Sequence, residues 1–591
     1  MTPFIMGLLG QALAALVTIA GATLTPAGRA RNVVAGAAAM LLGGLGCVTG
    51  AVALAGATDR VALATPLAGM PLSWAATPLG GTFSVVAGAV SVLAALYGIG
   101  YAHGPAGSRT AWSAIAVFVL GMQLVPAAGD AVTFLVAWEL MAIGSTVLVL
   151  AEQGARPGGR PAGLWYAAMT HLSFLLVGAG LAVLAAEAGS TSFDAIAAAT
   201  RAGSAPSTTL SVGFVLAVLG FATKAGAVPL HVWLPRAHPE APSHVSALMS
   251  AAMVKLGIYG VLLLATTLAP GGPPWWALVV LALGVPSALY GILQASVASD
   301  LKRLLAYSTS ENVGLILIAI SVAMLTQLTR PGVAATALVA ALLLTISHAA
   351  FKTTLFLGAG SILHATGERD LDRMGGLAVR MPVTTFALAV GCLGAAALPV
   401  TSGFVAEWSL LQALIHADAR TDRLTTALLP LVMGVVALTA GLALLTFTKA
   451  FGIATLARPR TPGAEAATET ARTMQVAQVL AAASVLAIGL APGLVMAALR
   501  TALPTGATAS TELGASLALP GVSATLDPIA LTGLTLALAL PLVAIALALV
   551  TAALLAGVAL FLAGRVGLVG GAVAEFPSLT LVNHTSILTG V

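Results

Sequence analysis

Apolar segments long enough to cross a membrane follow one another along most of this 591-residue chain. A helix needs about 20 apolar residues to cross the hydrocarbon core of a bilayer. Hydrophobic residues make up 59% of the chain and charged residues only 8%, whereas soluble domains carry roughly 25% charged residues. The sequence therefore predicts a polytopic membrane protein and excludes a water-soluble globular one.

The apolar segments are typical of helices. Residues 280–285 stay apolar at every position, whereas the strands of a membrane β-barrel alternate between apolar and polar residues. We predict an all-α fold of about 14–16 transmembrane helices. The segments run near residues 4–24, 33–56, 82–102, 110–128, 131–151, 163–187, 208–225, 243–269, 275–298, 304–327, 333–361, 382–414, 425–456, 473–499 and 527–563.

Motifs of soluble catalytic sites are missing from the sequence. Cys47 and Cys392 each stand alone, and no CxxC pair occurs, so we expect no iron–sulfur cluster, c-type haem or zinc–cysteine site in this chain. Walker, GxSxG and HExxH motifs do not occur either. The N-terminus is apolar and lacks the basic region of a signal peptide, so we expect the first helix to be retained.

Basic residues are unevenly divided between alternate connections, which predicts the orientation. The positive-inside rule places Lys- and Arg-rich connections in the cytoplasm. Connections after even-numbered segments hold six basic residues, so we predict that the N-terminus lies outside the cell. The net charge of +5 arises from basic connections between membrane segments, so we expect no nucleic-acid partner. Connections after odd-numbered segments hold fourteen: Arg29, Arg31, Arg109, Arg156, Arg160, Arg236, Lys302, Arg303, Arg369, Arg373, Arg380, Arg458, Arg460 and Arg472.

Two apolar segments are interrupted by neighbouring Gly and Pro, at Phe221–Pro229 and Ala397–Gly403. Pro lacks a backbone donor and clashes with the preceding turn, so both segments are predicted to be broken helices. Paired broken helices are typical of inverted-repeat transporters with an ion path near the bilayer midplane. Ordinary loops or proline kinks are the alternative explanation.

Lysine is rare and is placed differently from arginine. Only five of the 25 basic residues are Lys, and Lys224, Lys255, Lys352 and Lys449 lie inside or at the margin of apolar segments. A buried Lys can lose its proton, whereas Arg keeps its charge in proteins. We interpret these lysines as candidate proton carriers. Snorkelling to the membrane surface is the alternative, and it applies most to Lys449.

Acidic residues with apolar sequence on both sides are limited to Glu139, Glu311 and Glu407. A charge at the bilayer centre costs roughly 2.5–3.5 kcal/mol on insertion scales. Such residues are therefore expected to face the protein interior and to have partners there. An ion path and structural ion pairs between helices are the two interpretations.

Histidines extend this set of titratable residues. His348 and Lys352 are four residues apart and are expected to share one helix face. His244 and Lys255 are eleven residues apart, about three turns, and would share a face of a regular helix. Such a column can pass protons through intervening water. His171, alone in the sixth segment, is interpreted as a hydrogen-bonded packing residue.

The segment Gly220–Met249 resembles the signature of the antiporter-like subunits of respiratory complex I, Mrp-type cation/proton antiporters and membrane-bound hydrogenases. Further matches are Asp300–Ser308, His348–Gly360 and Gly403–Glu407, and the similarity runs from about residue 80 to about residue 455. It lapses beyond residue 500, where no amphipathic lateral helix is recognisable.

Within this superfamily, His238–His244 and Glu311–Gly314 look most like the large membrane subunit of formate hydrogenlyase and hydrogenase-four-type complexes. Complex I subunits usually carry Thr-Pro where this chain has Ser243-His244. The resemblance implies inverted five-helix repeats at residues 110–269 and 275–456. N-terminal transmembrane helices at 1–109 would precede them, and C-terminal transmembrane helices and a tail at 457–591 would follow.

The resemblance also implies the ion path. Glu139 would match the family's fifth-helix glutamate, and Lys224 the broken-helix lysine that pairs with it. Lys255 would be the central lysine, His348 and Lys352 would continue the chain, and Glu407 would match the terminal titratable site. The proton-translocation residues predicted in this way are Glu139, Lys224, His231, His244, Lys255, His348, Lys352 and Glu407.

The implied function is proton translocation within a redox-driven complex of hydrogenase or formate hydrogenlyase type in the bacterial inner (plasma) membrane. An Mrp-like cation/proton antiporter subunit, a complex I NADH–quinone oxidoreductase membrane subunit and a scaffold without transport are the alternatives. We expect no cofactor in this chain. Its implied partners are other membrane subunits and a peripheral redox module carrying iron–sulfur clusters and nickel–iron.

Overall fold

The computed structural model describes residues 2–63, 71–151, 159–202, 207–417 and 423–503, together with 517–518 and 525–526. The predicted segment at 527–563 lies outside the described residues.

The first half of the chain consists of helices with one small antiparallel sheet. Its elements are α1 (Pro3–Leu24), α2 (Arg29–Leu54), β1 (Arg60–Leu63), β2 (Leu72–Ala75), α3 (Pro78–Tyr101), a 3₁₀ turn (Gly104–Gly107), α4 (Arg109–Leu124), α5 (Ala131–Ala151), α6 (Gly159–Ala188), α7 (Phe193–Ala202), α8 (Thr208–Ala225), α9 (Leu234–Glu240), α10 (Ser243–Leu248), a π-helical segment (Met249–Met253), α11 (Val254–Leu263) and a second π-helical segment (Leu264–Leu268).

The second half is helical in the same way. Its elements are α12 (Pro274–Val297), α13 (Leu301–Thr326), α14 (Pro331–Thr366), a 3₁₀ turn (Leu371–Arg373), α15 (Leu377–Arg380), α16 (Pro382–Ala395), α17 (Ser402–His416), α18 (Arg423–Thr455), α19 (Pro462–Glu465), α20 (Arg472–Leu490), α21 (Pro492–Leu499), a 3₁₀ turn (Arg500–Ala502) and the paired strands β3 (Leu517–Ala518) and β4 (Thr525–Leu526).

Within the described ranges, 12 helices are long and apolar enough to cross a membrane. Every predicted segment that falls in those ranges contains a helix, so the all-α membrane fold is confirmed. Two of the fourteen predicted segments within the described ranges are not among these 12 helices. One is the segment of α4, which has only 16 residues. The other is the segment predicted at 382–414, which is divided into α16, with 14 residues, and α17, with 15.

Local sequence signals fix where many helices begin. Pro occupies the first turn of α1, α3, α12, α14 and α16, where its missing N–H costs nothing. Thr77, Ser108, Ser207 and Asp300 precede helices, and the side chain of each accepts a hydrogen bond from a backbone N–H of the first turn. These caps satisfy donors that would otherwise lack partners.

Both predicted interruptions are present. The helix α8 ends at Ala225, and Gly226 follows with a positive φ of 76° before the chain turns towards α9. Between α16 and α17, Ala397 and Val400 also have positive φ, 49° and 75°, which is costly for residues with a side chain. Irregular backbone at membrane depth is tolerated where it is buried in protein.

The order of helices is the same in the two predicted repeat ranges. In 110–269, α4, α5 and α6 precede the interrupted pair α8 and α9, and α10 with α11 follows. In 275–456, α12, α13 and α14 precede the interrupted pair α16 and α17, and α18 follows. The repeat ranges and their inverted relation stay predictions.

Glycines allow α2 and α3 to approach closely. A Cβ built at Gly43 would lie 2.8 Å from the Gly88 carbonyl oxygen, and one at Gly88 would lie 2.5 Å from the Gly43 carbonyl oxygen. Gly44, the next residue along α2, has nothing within 4 Å of its Cβ position. Small residues at helix contacts are the usual means of close packing in membranes.

This contrast predicts opposite effects for two adjacent substitutions. Gly43→Ala should destabilise the protein by about 1–3 kcal/mol, because the new methyl group forces α2 away from α3. Gly44→Ala is the matched control and should be neutral or slightly stabilising, because Ala is a better helix former than Gly. The measurement is the thermal unfolding temperature of the full chain in detergent micelles. Equal unfolding temperatures for the two variants would contradict the packing described for α2 and α3.

Candidate functional site

The predicted site residues lie inside the helical bundle. Lys224, Lys255, His244, His348 and Lys352 are at most 1% exposed, and His231 is 8% exposed. Glu139 and Glu407 are partly exposed. Their helices α5, α8, α10, α11, α14 and α17 come from both predicted repeat ranges.

The first group of titratable residues lies where α5, α6 and α8 meet. Lys224, in the last turn of α8, donates a hydrogen bond of 2.6 Å to Thr170 Oγ1, and its Nζ lies 5.9 Å from the ring centroids of Trp138 and Tyr166. Glu139 Oε1 lies 3.0 Å from His171 Nε2. We call Glu139, Thr170, His171 and Lys224 the first cluster.

Glu139 and Lys224, which the resemblance implies to be a pair, are not joined by an ion pair within 4.0 Å in the described structure. The two side chains interact electrostatically across a longer distance. Thr170 and His171 are adjacent on α6, and one holds Lys224 while the other holds Glu139. The α6 helix therefore mediates between the two charged groups.

His171 is hydrogen-bonded, as the sequence interpretation expects, but it is not a buried packing residue. Its side chain is 48% exposed, and the carboxylate of Glu139 is its side-chain partner. Its Nδ1 lies 2.7 Å from the Ala167 carbonyl oxygen. The two residues come from successive helices, and no spacing rule in the sequence relates them.

The second group lies between α10–α11, α13 and α14. Lys255 Nζ contacts His348 Nδ1 and donates a hydrogen bond of 3.2 Å to the Ser250 carbonyl oxygen. Lys352, one turn after His348 on α14, donates hydrogen bonds to Ser308 Oγ and, at 2.9 Å, to the Leu305 carbonyl oxygen. We call Lys255, His348, Lys352 and Ser308 the central cluster.

A run of polar residues on α13 connects the members of the central cluster. Ser308 binds Lys352, and Thr309 Oγ1 lies 2.8 Å from Ser250 Oγ. Ser310 Oγ donates a 2.9 Å hydrogen bond to the Gly226 carbonyl oxygen, so the same run also holds the break after α8. Glu311, the next residue, is 1% exposed.

Glu311 has no assigned role in the predicted path, yet it connects the central cluster to Glu407. It interacts electrostatically with both Lys352 and Glu407, and Asn312 Nδ2 donates a 3.2 Å hydrogen bond to its Oε2. Its position inside an apolar segment was the signal that pointed to it.

The π-helical segment Met249–Met253 changes the expected relation of His244 and Lys255. The spacing argument requires a regular α-helix, and this segment, with its wider turns, lies between the two residues. His244 lies among the rings of Tyr101 and Trp112, at centroid distances of 5.4 and 6.4 Å. Lys255 contacts His348. No hydrogen bond joins His244 to Lys255 in the described part of the chain.

Two further buried histidines accompany His244. His238 is completely buried, has no hydrogen-bond partner on either ring nitrogen, and packs against Trp233 and Phe356. It was not among the predicted site residues. His231 packs against Tyr290 with centroids 5.0 Å apart. Buried polar atoms without partners are rare in proteins and point to water, ions or a functional role.

The helices α8 and α11, which carry Lys224 and Lys255, pack closely against each other. A Cβ built at Gly257 would lie 2.6 Å from the Phe221 carbonyl oxygen and 2.7 Å from the Ala225 nitrogen. Tyr166, beside Lys224, hydrogen-bonds to Ser145 Oγ and to Met253 Sδ at 2.6 and 3.2 Å. Within the described ranges no hydrogen bond joins Lys224 to Lys255.

Lys449 has a structural role. Its Nζ donates hydrogen bonds of 2.6 and 3.0 Å to the carbonyl oxygens of Ser296 and Ala298, at the C-terminus of α12. A cation there complements the unsatisfied carbonyls and the helix dipole. Among the described residues, no group of three His, Cys, Asp or Glu side chains could hold a metal ion.

The chain belongs to the NADH:quinone oxidoreductase/Mrp antiporter transmembrane family, whose model matches residues 128–433. This match covers the first and central clusters. The expected resemblance to antiporter-like subunits is therefore confirmed.

Several relatives share the sequence. An uncharacterized protein of Mycobacterium tuberculosis, Rv0083, is 50% identical over 73% of this chain and 67% of its own length. Hydrogenase-4 component B of Escherichia coli is 42% identical over 63% of this chain and 55% of its length. Formate hydrogenlyase subunit 3 of Escherichia coli is 37% identical over 49% of this chain and 48% of its length. The chain thus matches about half the length of the two Escherichia coli relatives.

Two solved structures share the fold. The archaeal membrane-bound sulfane sulfur reductase aligns with a TM-score of 0.75 and 23% identity, over 97% of this chain and 86% of the matched chain. The Mrp complex of Dietzia sp. DQ12-45-1b aligns with a TM-score of 0.71 and 20% identity, over 85% and 97%. The likeness in fold extends beyond the family match to most of this chain.

The contact between Lys255 and His348 predicts energetic coupling. Lys255→Met and His348→Leu should each destabilise the chain by about 1–3 kcal/mol, because each leaves a buried polar partner unsatisfied. The double variant should cost less than the sum by about 1 kcal/mol or more. The measurement is the free energy of unfolding in detergent micelles.

A matched cycle provides the control. Lys449→Met combined with His348→Leu should be additive, because Lys449 binds carbonyls of α12 and not His348. Additive effects of the Lys255 and His348 substitutions would contradict the contact between them.

Proposed function

We propose that this chain is the proton-translocating, antiporter-like membrane subunit of a redox-driven complex of hydrogenase or formate hydrogenlyase type. It would lie in the bacterial inner membrane with its N-terminus outside and its arginine-rich connections in the cytoplasm. The observation that carries this proposal is the central cluster. Lys255, His348 and Lys352 are fully buried. Lys255 contacts His348, and Lys352 donates a hydrogen bond to Ser308. A fixed unpaired charge would be costly at such a buried site.

The central cluster can transfer protons in short steps. A Lys amine and a His ring nitrogen in contact can share one proton, with either group as the donor. The hydroxyl of Ser308 both donates and accepts, so it can relay between Lys352 and its neighbours on α13. Glu311 and Glu407, which interact electrostatically with each other, would then accept protons at the far end of the path.

The first cluster would control charge movement through electrostatics. A Lys and a Glu about 5 Å apart attract each other by about 3 kcal/mol at an effective dielectric constant near 20. Moving one charge against 100 mV takes about 2.3 kcal/mol. The change in interaction energy when Lys224 and Glu139 approach or separate is therefore large enough to drive one proton across a membrane. Thr170 and His171 would hold the separated state.

A column of rings offers protons a route from the arginine-rich helix ends to the interior. His103 and His364 are exposed, with ring centroids 5.5 Å apart. Tyr101 lies 5.9 Å from His364 and 5.4 Å from the buried His244. Rotation of these rings or single water molecules would complete the steps between them. This route gives His244 a role in proton entry, although no hydrogen bond joins it to Lys255 in the described part of the chain.

The exposed ion pair of the first cluster supports the presence of partner subunits in the membrane. His171 and Glu139 side chains are 48% and 25% exposed on helices that are long enough to span the membrane. Such a pair facing lipid is costly, so another membrane subunit would cover it. Two relatives are named as parts of a hydrogenase and of a formate hydrogenlyase, which supports a redox partner. The proposed partner is a peripheral module with iron–sulfur clusters and nickel–iron, which this chain would couple to proton movement.

The proposal predicts a defined loss when Lys224 is replaced. Lys224→Met in the intact complex should abolish proton transport while leaving the redox activity of the partner subunits partly intact. The measurement is the pH change in membrane vesicles during turnover with the partner's electron donor. Unchanged proton transport would overturn the role of Lys224.

A second, gentler substitution tests how Lys224 is held. Thr170→Val is nearly isosteric and removes the acceptor of the Lys224 ammonium, so it should lower the proton transport rate severalfold. Thr146→Val is the matched control, because the hydroxyl of Thr146 is buried without a partner. Equal transport rates for the two variants would contradict the role of Thr170.

Two measurements separate the alternatives. Sodium-dependent pH changes in vesicles that hold the purified chain alone would favour an Mrp-like exchanger. Substitutions of the buried charges that alter only assembly would favour a scaffold. Identification of the subunits in the purified complex tests the redox partner, because a nickel–iron subunit fits the proposal and an NADH-oxidising module fits a complex I subunit instead.

A further inference from the structure

A cavity of about 850 Å³ lies beside the arginine-rich helix ends, away from both clusters. The connection before α2, the end of α3 and the start of α20 form its walls. Its lining includes Arg29, Arg31, Val33, His103 and Arg472.

The charges around this cavity are all of one sign. Arg29, Arg31 and Arg472 line it, and no Asp or Glu does. Within the described ranges, none of the three arginines has a carboxylate within 4.0 Å. Arg31 donates to the Thr25 carbonyl oxygen, and its Nε is buried without a partner.

Two helix N-termini add to the positive potential. The helices α2 and α20 both begin at the cavity, after Gly28 and Ala471, and neither has a side-chain cap. Their first N–H groups are therefore open to an acceptor, and the helix dipoles favour negative charge at these ends. The cavity is thus complementary to an anion with several oxygen acceptors.

An apolar surface leads away from the arginines along α2. Val33 and Val34 are 44% and 42% exposed, and Leu41 and Val48 further along the helix are 55% and 60% exposed. Val34, Leu41 and Val48 follow one another at intervals of seven residues, so they share one face of the helix, and Val33 lies next to Val34 at the cavity. A free anion would have no use for this surface, whereas an acyl chain would cover it.

We propose that this cavity binds the phosphate headgroup of an anionic phospholipid, with an acyl chain lying along the exposed apolar face of α2. Basic pockets between transmembrane helices are suited to such headgroups. Arg29, Arg31 and Arg472 provide charge-assisted hydrogen bonds to the phosphate oxygens. Inorganic phosphate shares this chemistry but lacks the acyl chain. The inference does not rest on the proposed transport function, although His103 of the proposed proton route also lines the cavity.

The experiment titrates the full chain, purified in a neutral maltoside detergent, with phosphatidylglycerol and counts bound lipid by native mass spectrometry. The Arg29→Gln/Arg472→Gln double variant should bind at least tenfold more weakly. Neither side chain makes a described hydrogen bond, and both are exposed, so the fold should be retained, as checked by an unchanged unfolding temperature. Arg458→Gln, an exposed arginine that does not line the cavity, is the matched control and should bind normally.

Two further arms identify the ligand. Phosphatidylcholine, which has the same acyl chains but no net charge, should bind at least tenfold more weakly than phosphatidylglycerol. Inorganic phosphate at millimolar concentration should not displace the lipid. Equal binding by the double variant, or equal binding of the two lipids, would overturn the proposal. Displacement by inorganic phosphate, or an acidic partner segment crosslinked into the lipid-free cavity of the intact complex, would overturn the lipid assignment.

Discussion

The fold depends on the hydrogen-bond partners that it supplies to the lysine amines taken out of water. Lys255 and Lys352 are each supplied with two: a histidine and a carbonyl for Lys255, a serine and a carbonyl for Lys352. Removal of a partner from a buried charge is far more costly than replacement of both groups. Lys352 on α14 binds Ser308 and the Leu305 carbonyl oxygen on α13, so these hydrogen bonds fix how the two helices pack along each other. Ser308 belongs to the polar run Ser308–Asn312 of α13.

At the two helix breaks, buried backbone N–H and C=O groups also need hydrogen-bond partners. Where α8 stops, the Gly226 carbonyl accepts from Ser310, and the N–H of Val228 donates to Ser287. Where α17 starts, the Ser402 carbonyl accepts from Ser347 on α14. Each break therefore exposes backbone groups to a neighbouring helix of the bundle and not to lipid. Lys224 lies in the final turn before one break and Glu407 in the second turn after the other, so both charges lie beside polar backbone.

Segment positions and helix breaks could be predicted because they depend on local properties, namely apolar length and the Gly–Pro pairs near 229 and 400. The buried lysines were identifiable because charge in an apolar segment is costly wherever the chain goes. Pairings were not predictable in the same way. His171 lies 32 residues from Glu139, and only the packing of α5 on α6 brings them together. The π-helical turn at Met249–Met253 likewise has no sequence signal, and it invalidates face arguments that extend across it.

The close packing between the clusters bears on how such a subunit would work. A continuous water-filled column from Lys224 to Lys255 would let protons leak down the membrane potential without doing work. Close packing of α8 on α11, where a Cβ at Gly257 would lie 2.6 Å from the Phe221 carbonyl oxygen, disfavours such a column, while Coulomb interaction acts across packed helices. Under the proposed function, charge movement in one cluster would change the proton affinity of the other without direct transfer between them. Close packing would then be as necessary as the titratable groups, because it would tie proton movement on one side to the charge state on the other.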